Sequence, residues 1–167
     1  MNPRESNAVV QPDGREMVIT RVIDAPRELV FDAWTDPEQI VHWWGHEGFT
    51  TTIEKMDVRP GGEWIHVMHG PDGTDYPNKS VFLEVVRPEL ISSTHGGHGR
   101  EGSTEVDAHK IVTFEVAEGD KTLLTLRMVF PSTEARDTII REYHAVEGGK
   151  QTLARLAEHL ASKGVAA

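Results

Sequence analysis

The chain has no cysteine. That excludes a disulfide framework and thiol chemistry. It also lacks any apolar run near the ~20 residues a membrane helix needs, so membrane insertion is not expected. Residues 1–15 are polar and carry no apolar stretch of the kind a secretory signal requires, which makes cytoplasm the expected compartment. Basic residues are outnumbered, with 17 Lys and Arg against 27 Asp and Glu and a formal net charge of −10. So acidic a surface repels phosphate backbones, and nucleic acid is not an expected partner. The nine histidines would pull this balance toward zero only below about pH 6. What remains is ordinary for one globular domain with a real core: 167 residues, 38% hydrophobic and 26% charged. Residues 16–163 read as that domain, 1–15 as a flexible tail and 164–167 as a short C-terminal tail. No repeat, low-complexity segment or interdomain linker interrupts it.

The most informative stretch is 24–45, which holds two helix starts, three tryptophans and a glycine stop. Pro26 suits a first helical position with Asp24 as a possible cap, and Leu29, Val30, Ala33 and Trp34 recur at helical spacing. Asp36 and Pro37 repeat the start signal; Ile40, Val41, Trp43 and Trp44 follow before Gly45. Around this pair the β-branched, alternating segments read as strands: 16–24, 50–58, 63–69, 80–86, 90–95, 110–117 and 122–130. Turn chemistry separates them at 59–62, 70–74 and 118–121. A flexible loop, 96–102, has four glycines among its seven residues. In the last two strands Val112, Phe114 and Val116, then Leu124, Leu126, Met128 and Phe130, would share one face at period two. From Ser132 the pattern turns helical, with Tyr143, Val146, Leu153, Leu156 and Leu160 as the apolar stripe and Gly148 and Gly149 in its middle. Two mid-helix glycines cost about 1 kcal/mol each, tolerable where a helix bends or approaches a sheet or ligand closely. The expected fold class is α+β: a curved antiparallel sheet of about six to seven strands wrapped on a long C-terminal helix, with two short helices after the first strand.

Several segments together carry a resemblance: 25–37 (APRELVFDAWTDP), 43–45 (WWG), 57–64 (DVRPGGEW), 70–73 (GPDG), 84–90 (EVVRPEL) and 148–160 (GGKQTLARLAEHL). In this order they make the chain resemble the activator of heat-shock ATPase homologue group of the START and birch-pollen-allergen-like helix-grip superfamily. The resemblance implies a hollow fold with a ligand cavity between sheet and long helix. It implies little about chemistry, since superfamily members include binders of lipids, hormones and polyketides as well as enzymes. The group is named for a co-chaperone with an additional N-terminal domain. The residues before Glu16 leave no room for it, so a chaperone partner is not expected.

The candidate ligand-binding residues are Trp43, Trp44, Trp64, His66, Met68, Phe82, Phe114, Met128 and Tyr143. Large rings can line a cavity and stack on a flat guest, or simply fill a core, which is the better account of Trp34. Residues 45–48 would form a cavity lip. Trp64, His66 and Met68 share one strand face, with Ile65, Val67 and His69 on the other. If the first face is concave, His66 puts a titratable group in an apolar pocket, able to orient a ligand or act as a base. Glu84 interrupts an apolar strand; turned inward it would form an acid/base pair with His66. His95, His98 and His109, and the pair His42 and His46, raise a metal reading. Their glycine-rich setting is not the rigid frame that metal ligands require, so no metal and no cofactor is expected. The expected function is binding of a small hydrophobic molecule. The alternatives are a cyclase, dehydratase or hydrolase using His66 with Glu84, or a protein-binding module. A homodimer is compatible with the residues but not indicated by them.

Overall fold

The computed structural model describes residues 6–11, 13–95 and 108–162. The loop 96–102 with His98, and the residues 1–5 and 164–167 of the two expected tails, lie outside the described residues, as do the side chains of His95 and Tyr143. In chain order the elements are β1 (Asn7–Val9), β2 (Glu16–Ile23), α1 (Arg27–Thr35), α2 (Pro37–Ile40), β3 (Thr50–Met56), β4 (Glu63–His69), β5 (Asp75–Val86), β6 (Leu90–His95), β7 (Ala108–Ala117), β8 (Lys121–Val129), α3 (Thr133–Tyr143) and α4 (Ala145–Ser162). The strands form one curved antiparallel sheet in the order β1-β2-β8-β7-β6-β5-β4-β3. It has eight strands, more than expected, because β1 lies within the segment read as a tail and pairs with β2, Ala8 opposite Ile19.

Local chemistry explains the helix boundaries. At α2, the Glu38 N–H donates to Asp36 Oδ1 at 2.9 Å and Pro37 occupies the first turn, as the residues predict. At α3, the Ala135 N–H donates to Ser132 Oγ at 3.0 Å. At α1 the cap is Pro26, with no side-chain bond, rather than Asp24. The entrance is held instead from the sheet, where the buried Thr122 hydroxyl donates to the Ala25 carbonyl at 2.7 Å.

The single long terminal helix expected from the stripe is in fact two. The break falls at His144, whose φ of 52° is left-handed, and not at the glycines. Gly148 and Gly149 sit inside α4, where the need for close approach is visible. A Cβ on Gly149 would overlap Ile19 Cδ1 of β2, and one on Gly148 would overlap the His46 ring. Gly149 therefore lets α4 rest on the sheet, and Leu153, Leu156 and Leu160 bury behind it.

Cross-strand register defines the inner face. One row runs Met17, Met128, Lys110, Ser93, Phe82 across β2, β8, β7, β6 and β5. The next runs Ile19, Leu126, Val112, Ile91. Every one of these side chains is buried. One sequence expectation fails against this face, and one open alternative is decided. Val116, placed with Val112 and Phe114, is 69% exposed, so the buried side of β7 ends at Phe114. Glu84 should follow Ser80 and Phe82 inward by strict alternation. A bulge between Phe82 and Glu84 resets the period, leaving Glu84 exposed and turning Val85 toward the core.

Candidate functional site

An aromatic cluster forms where the α1–α2 segment meets the sheet. Trp34 packs edge-to-face on Trp43 at 4.9 Å, on Trp44 at 5.7 Å and on Phe114 at 6.0 Å between ring centroids. Phe31 adds a further edge contact to Phe114 at 5.3 Å. Trp43 is fully buried and its Nε1–H donates to the Ala33 carbonyl at 3.1 Å. Trp34 and Trp43 are both buried in this packing, and the polar edge of Trp43 is satisfied within it.

Trp44 is different. It turns toward β4, where its ring lies 5.0 Å from Trp64, and Trp64 stacks on His66 at 4.0 Å with 19° between planes. His66 is buried and also meets Trp44 edge-on at 6.3 Å. Lys110 of β7 completes the group. Its Nζ lies 4.6 Å from the centroid of Trp44 and 5.0 Å from that of Trp64. Ser80 sits opposite Trp64 on β5 and is fully buried. Among the described residues, Lys110 Nζ, Trp44 Nε1, Trp64 Nε1 and Ser80 Oγ find no protein hydrogen-bond partner. A buried donor left unpaired costs about 1–3 kcal/mol, and more when charged, so four in one place require an explanation. Burial alone pushes the Lys110 amine down to about 7 from its ordinary 10.5.

The segment bearing Trp44 is fastened to α4. Arg155 Nη1 donates to the carbonyls of Trp44, Gly45 and His46 at 3.2, 3.2 and 3.0 Å, and its Nη2 to that of His42 at 3.3 Å. The Glu47 N–H donates to Gln151 Oε1 at 2.9 Å. The 45–48 lip is therefore held from the helix side. Phe49 extends it toward Tyr76 at 5.8 Å.

Of the predicted site residues, Trp44, Trp64 and His66 come together. Phe82 and Met128 share the Lys110 row, and Met68 lies half-buried farther along β4 beside Gly45. Phe114 belongs to the Trp34 cluster. Tyr143 ends α3. Glu84, exposed on the far side of its bulge, does not meet buried His66. Sequence reasoning missed Lys110, Ser80 and Ser93. The signal for Lys110 was available: it stands two residues before Val112 and four before Phe114, on the face already assigned to the core. No group of three His, Cys, Asp or Glu residues among the described ones is placed to hold a metal. A groove of about 650 Å3 opens elsewhere, between α2 and α4, lined by Asp36, His42, Arg155 and His159 among others. It is not the space between sheet and helix. Among the described residues no helix is long and apolar enough to cross a membrane.

Solved structures share this architecture. Protein Ms6760 from Mycobacterium smegmatis superposes with a TM-score of 0.81 at 23% identity, over 92% of this chain and 95% of that one. A protein from Arthrobacter aurescens gives 0.83 at 24%, over 93% and 91%. CalU16 from Micromonospora echinospora gives 0.58 at 20%, over 96% and 87%. At these identities the likeness shows the fold alone. No curated protein sequence matches the chain. The family model described as Activator of Hsp90 ATPase homolog 1-like protein matches residues 24–161, nearly the whole fold from the first helix to the end of α4, and the chain belongs to that family.

Proposed function

We propose that the protein binds a small hydrophobic or aromatic molecule between the inner face of the sheet and the C-terminal helix, against Trp44, Trp64, His66, Phe82 and Met128. One observation carries this: among the described residues four buried groups able to donate, on Lys110, Trp44, Trp64 and Ser80, find no protein partner on a largely apolar inner surface. Ligand pockets are mostly apolar walls with a few placed polar groups, and the composition here is of that kind. Entry requires the Trp44 segment to swing outward on its Arg155 tether, because Trp44 closes over Trp64 and His66.

Catalysis by His66 with Glu84 has less support, since Glu84 faces solvent. The reading is tested by native mass spectrometry of protein purified from its own host, together with tryptophan fluorescence on adding flat apolar compounds. A co-purifying small molecule, and quenching as a guest stacks on Trp44 and Trp64, is the expected result. Fluorescence and melting temperature unmoved by every compound, with only the bare chain in the mass spectrum, would reject it.

A further inference from the structure

The stranded donors specify more than the presence of a guest. They come from four separate places, namely the turn after α2, β4, β5 and β7, so the fold and not local sequence gathers them. Tryptophan and a protonated lysine can only donate, and a serine hydroxyl can donate as well. One of the four is an amine that is 4% exposed, and its burial is what lowers its pKa. Two aromatic faces lie under that amine, and Phe82 and Met128 stand in its own cross-strand row. An acceptor-rich, negatively charged partner with an apolar body would complement these groups.

We infer that the interior receives the oxyanion head of a small apolar acid, an aromatic or aliphatic carboxylate, with Lys110 as its counter-ion and Trp44, Trp64 and Ser80 as neutral donors. This rests on the proposal that the interior is a ligand site, and it names the class of ligand. A carboxylate accepts several hydrogen bonds at once and is held more strongly by charged than by neutral donors. The overall charge of −10 does not oppose this, because interactions beyond about 10 Å are screened at ordinary ionic strength while the buried amine acts at contact.

A pH dependence follows. The free amine loses its proton near pH 7, and a bound carboxylate favours the protonated form. Binding above pH 7 therefore takes up a proton, and affinity should fall by up to about tenfold for each further pH unit. Within this cluster His66 on β4, stacked on Trp64, is titratable. Trp44, Trp64, Ser80, Ser93 on β6 and Met128 on β8 do not change charge over this range.

The test is calorimetric titration with benzoate, naphthoate and decanoate, each against its own primary amide, on the full chain and on Lys110→Met. The acid should bind the wild type at least about tenfold more tightly than its amide at pH 7, as charge-assisted hydrogen bonds predict. That preference should vanish in Lys110→Met, which still takes the amide, and should shrink in the wild type between pH 7 and 9. Equal binding of acid and amide by the wild type, or a preference that survives in Lys110→Met, overturns the inference while leaving the ligand site standing. If neither acids nor amides bind, the ligand site itself fails and this inference with it. Should Lys110→Met not fold, Lys110→Gln takes its place: a preference for the acid that survives there overturns Lys110 as the counter-ion.

Discussion

Lys110→Met should make the ligand-free protein more stable, by an amount that depends on pH. Folding carries the amine from water, where it loses its proton at 10.5, to a site where it does so at about 7. At ~1.4 kcal/mol per pH unit, that opposes folding by about 5 kcal/mol at neutral pH. The indoles act the other way. A cation over an aromatic face gains ~1–2 kcal/mol when desolvated, so 5 is an upper bound, but desolvation still wins. The sign follows from proton counts. Between the two values the unfolded chain holds a proton on Lys110 that the folded chain does not, so stability rises with pH across that window. Methionine has a similar length and nothing to titrate. The stability of wild type minus that of Lys110→Met should therefore start negative at pH 7 and climb by ~1.4 kcal/mol per pH unit between about pH 7.5 and 9.5. Urea denaturation of both proteins at matched ionic strength reads this directly, because every other titrating group cancels in the difference. Parallel pH curves would refute the reasoning, since they would mean that the amine is solvated or paired in the folded state.

Other positions offer independent checks. Gly149→Ala would gain about 1 kcal/mol on a free helix, but here the new methyl meets Ile19, so a net loss of about 1–3 kcal/mol in chemical denaturation is expected. A stabilised variant would show that α4 does not rest on β2 at that point. Glu84→Gln should change stability by less than about 0.5 kcal/mol and leave ligand uptake unaltered, because its side chain is in solvent. A large effect on uptake would restore Glu84 as a functional partner of the interior.

Much of the fold was legible from residue pattern. Asp36 with Pro37, and Ser132, announce helix starts because a short polar side chain there satisfies a backbone N–H that no helix can. Alternation in β4 correctly grouped Trp64 with His66. Where the pattern failed, a tertiary feature broke a local period. One extra residue in β5 rotated Glu84 to the outside, and the buried face of β7 ended before Val116. The helix broke at His144 because that residue takes the left-handed turn, whereas Gly148 and Gly149, which allowed either a bend or a close approach, serve the contact with Ile19 and His46. Lys110 was overlooked for a different reason. A lysine in an amphipathic strand normally points to water, and its position in the period argued otherwise only through its neighbours Val112 and Phe114.

The residues alone determined the family, most of the succession of strands and helices, and the apolar side of most strands, because these follow from backbone periodicity and capping within a few neighbours. Only the tertiary structure decided that Trp44, Trp64, Ser80 and Lys110 meet. They come from distant parts of the chain, and their meeting depends on cross-strand register and on the Arg155 clamp that folds the Trp44 segment over the sheet. No local pattern encodes that an amine on β7 will lie over two indoles, because the burial that gives it its chemistry is a property of the assembled layers.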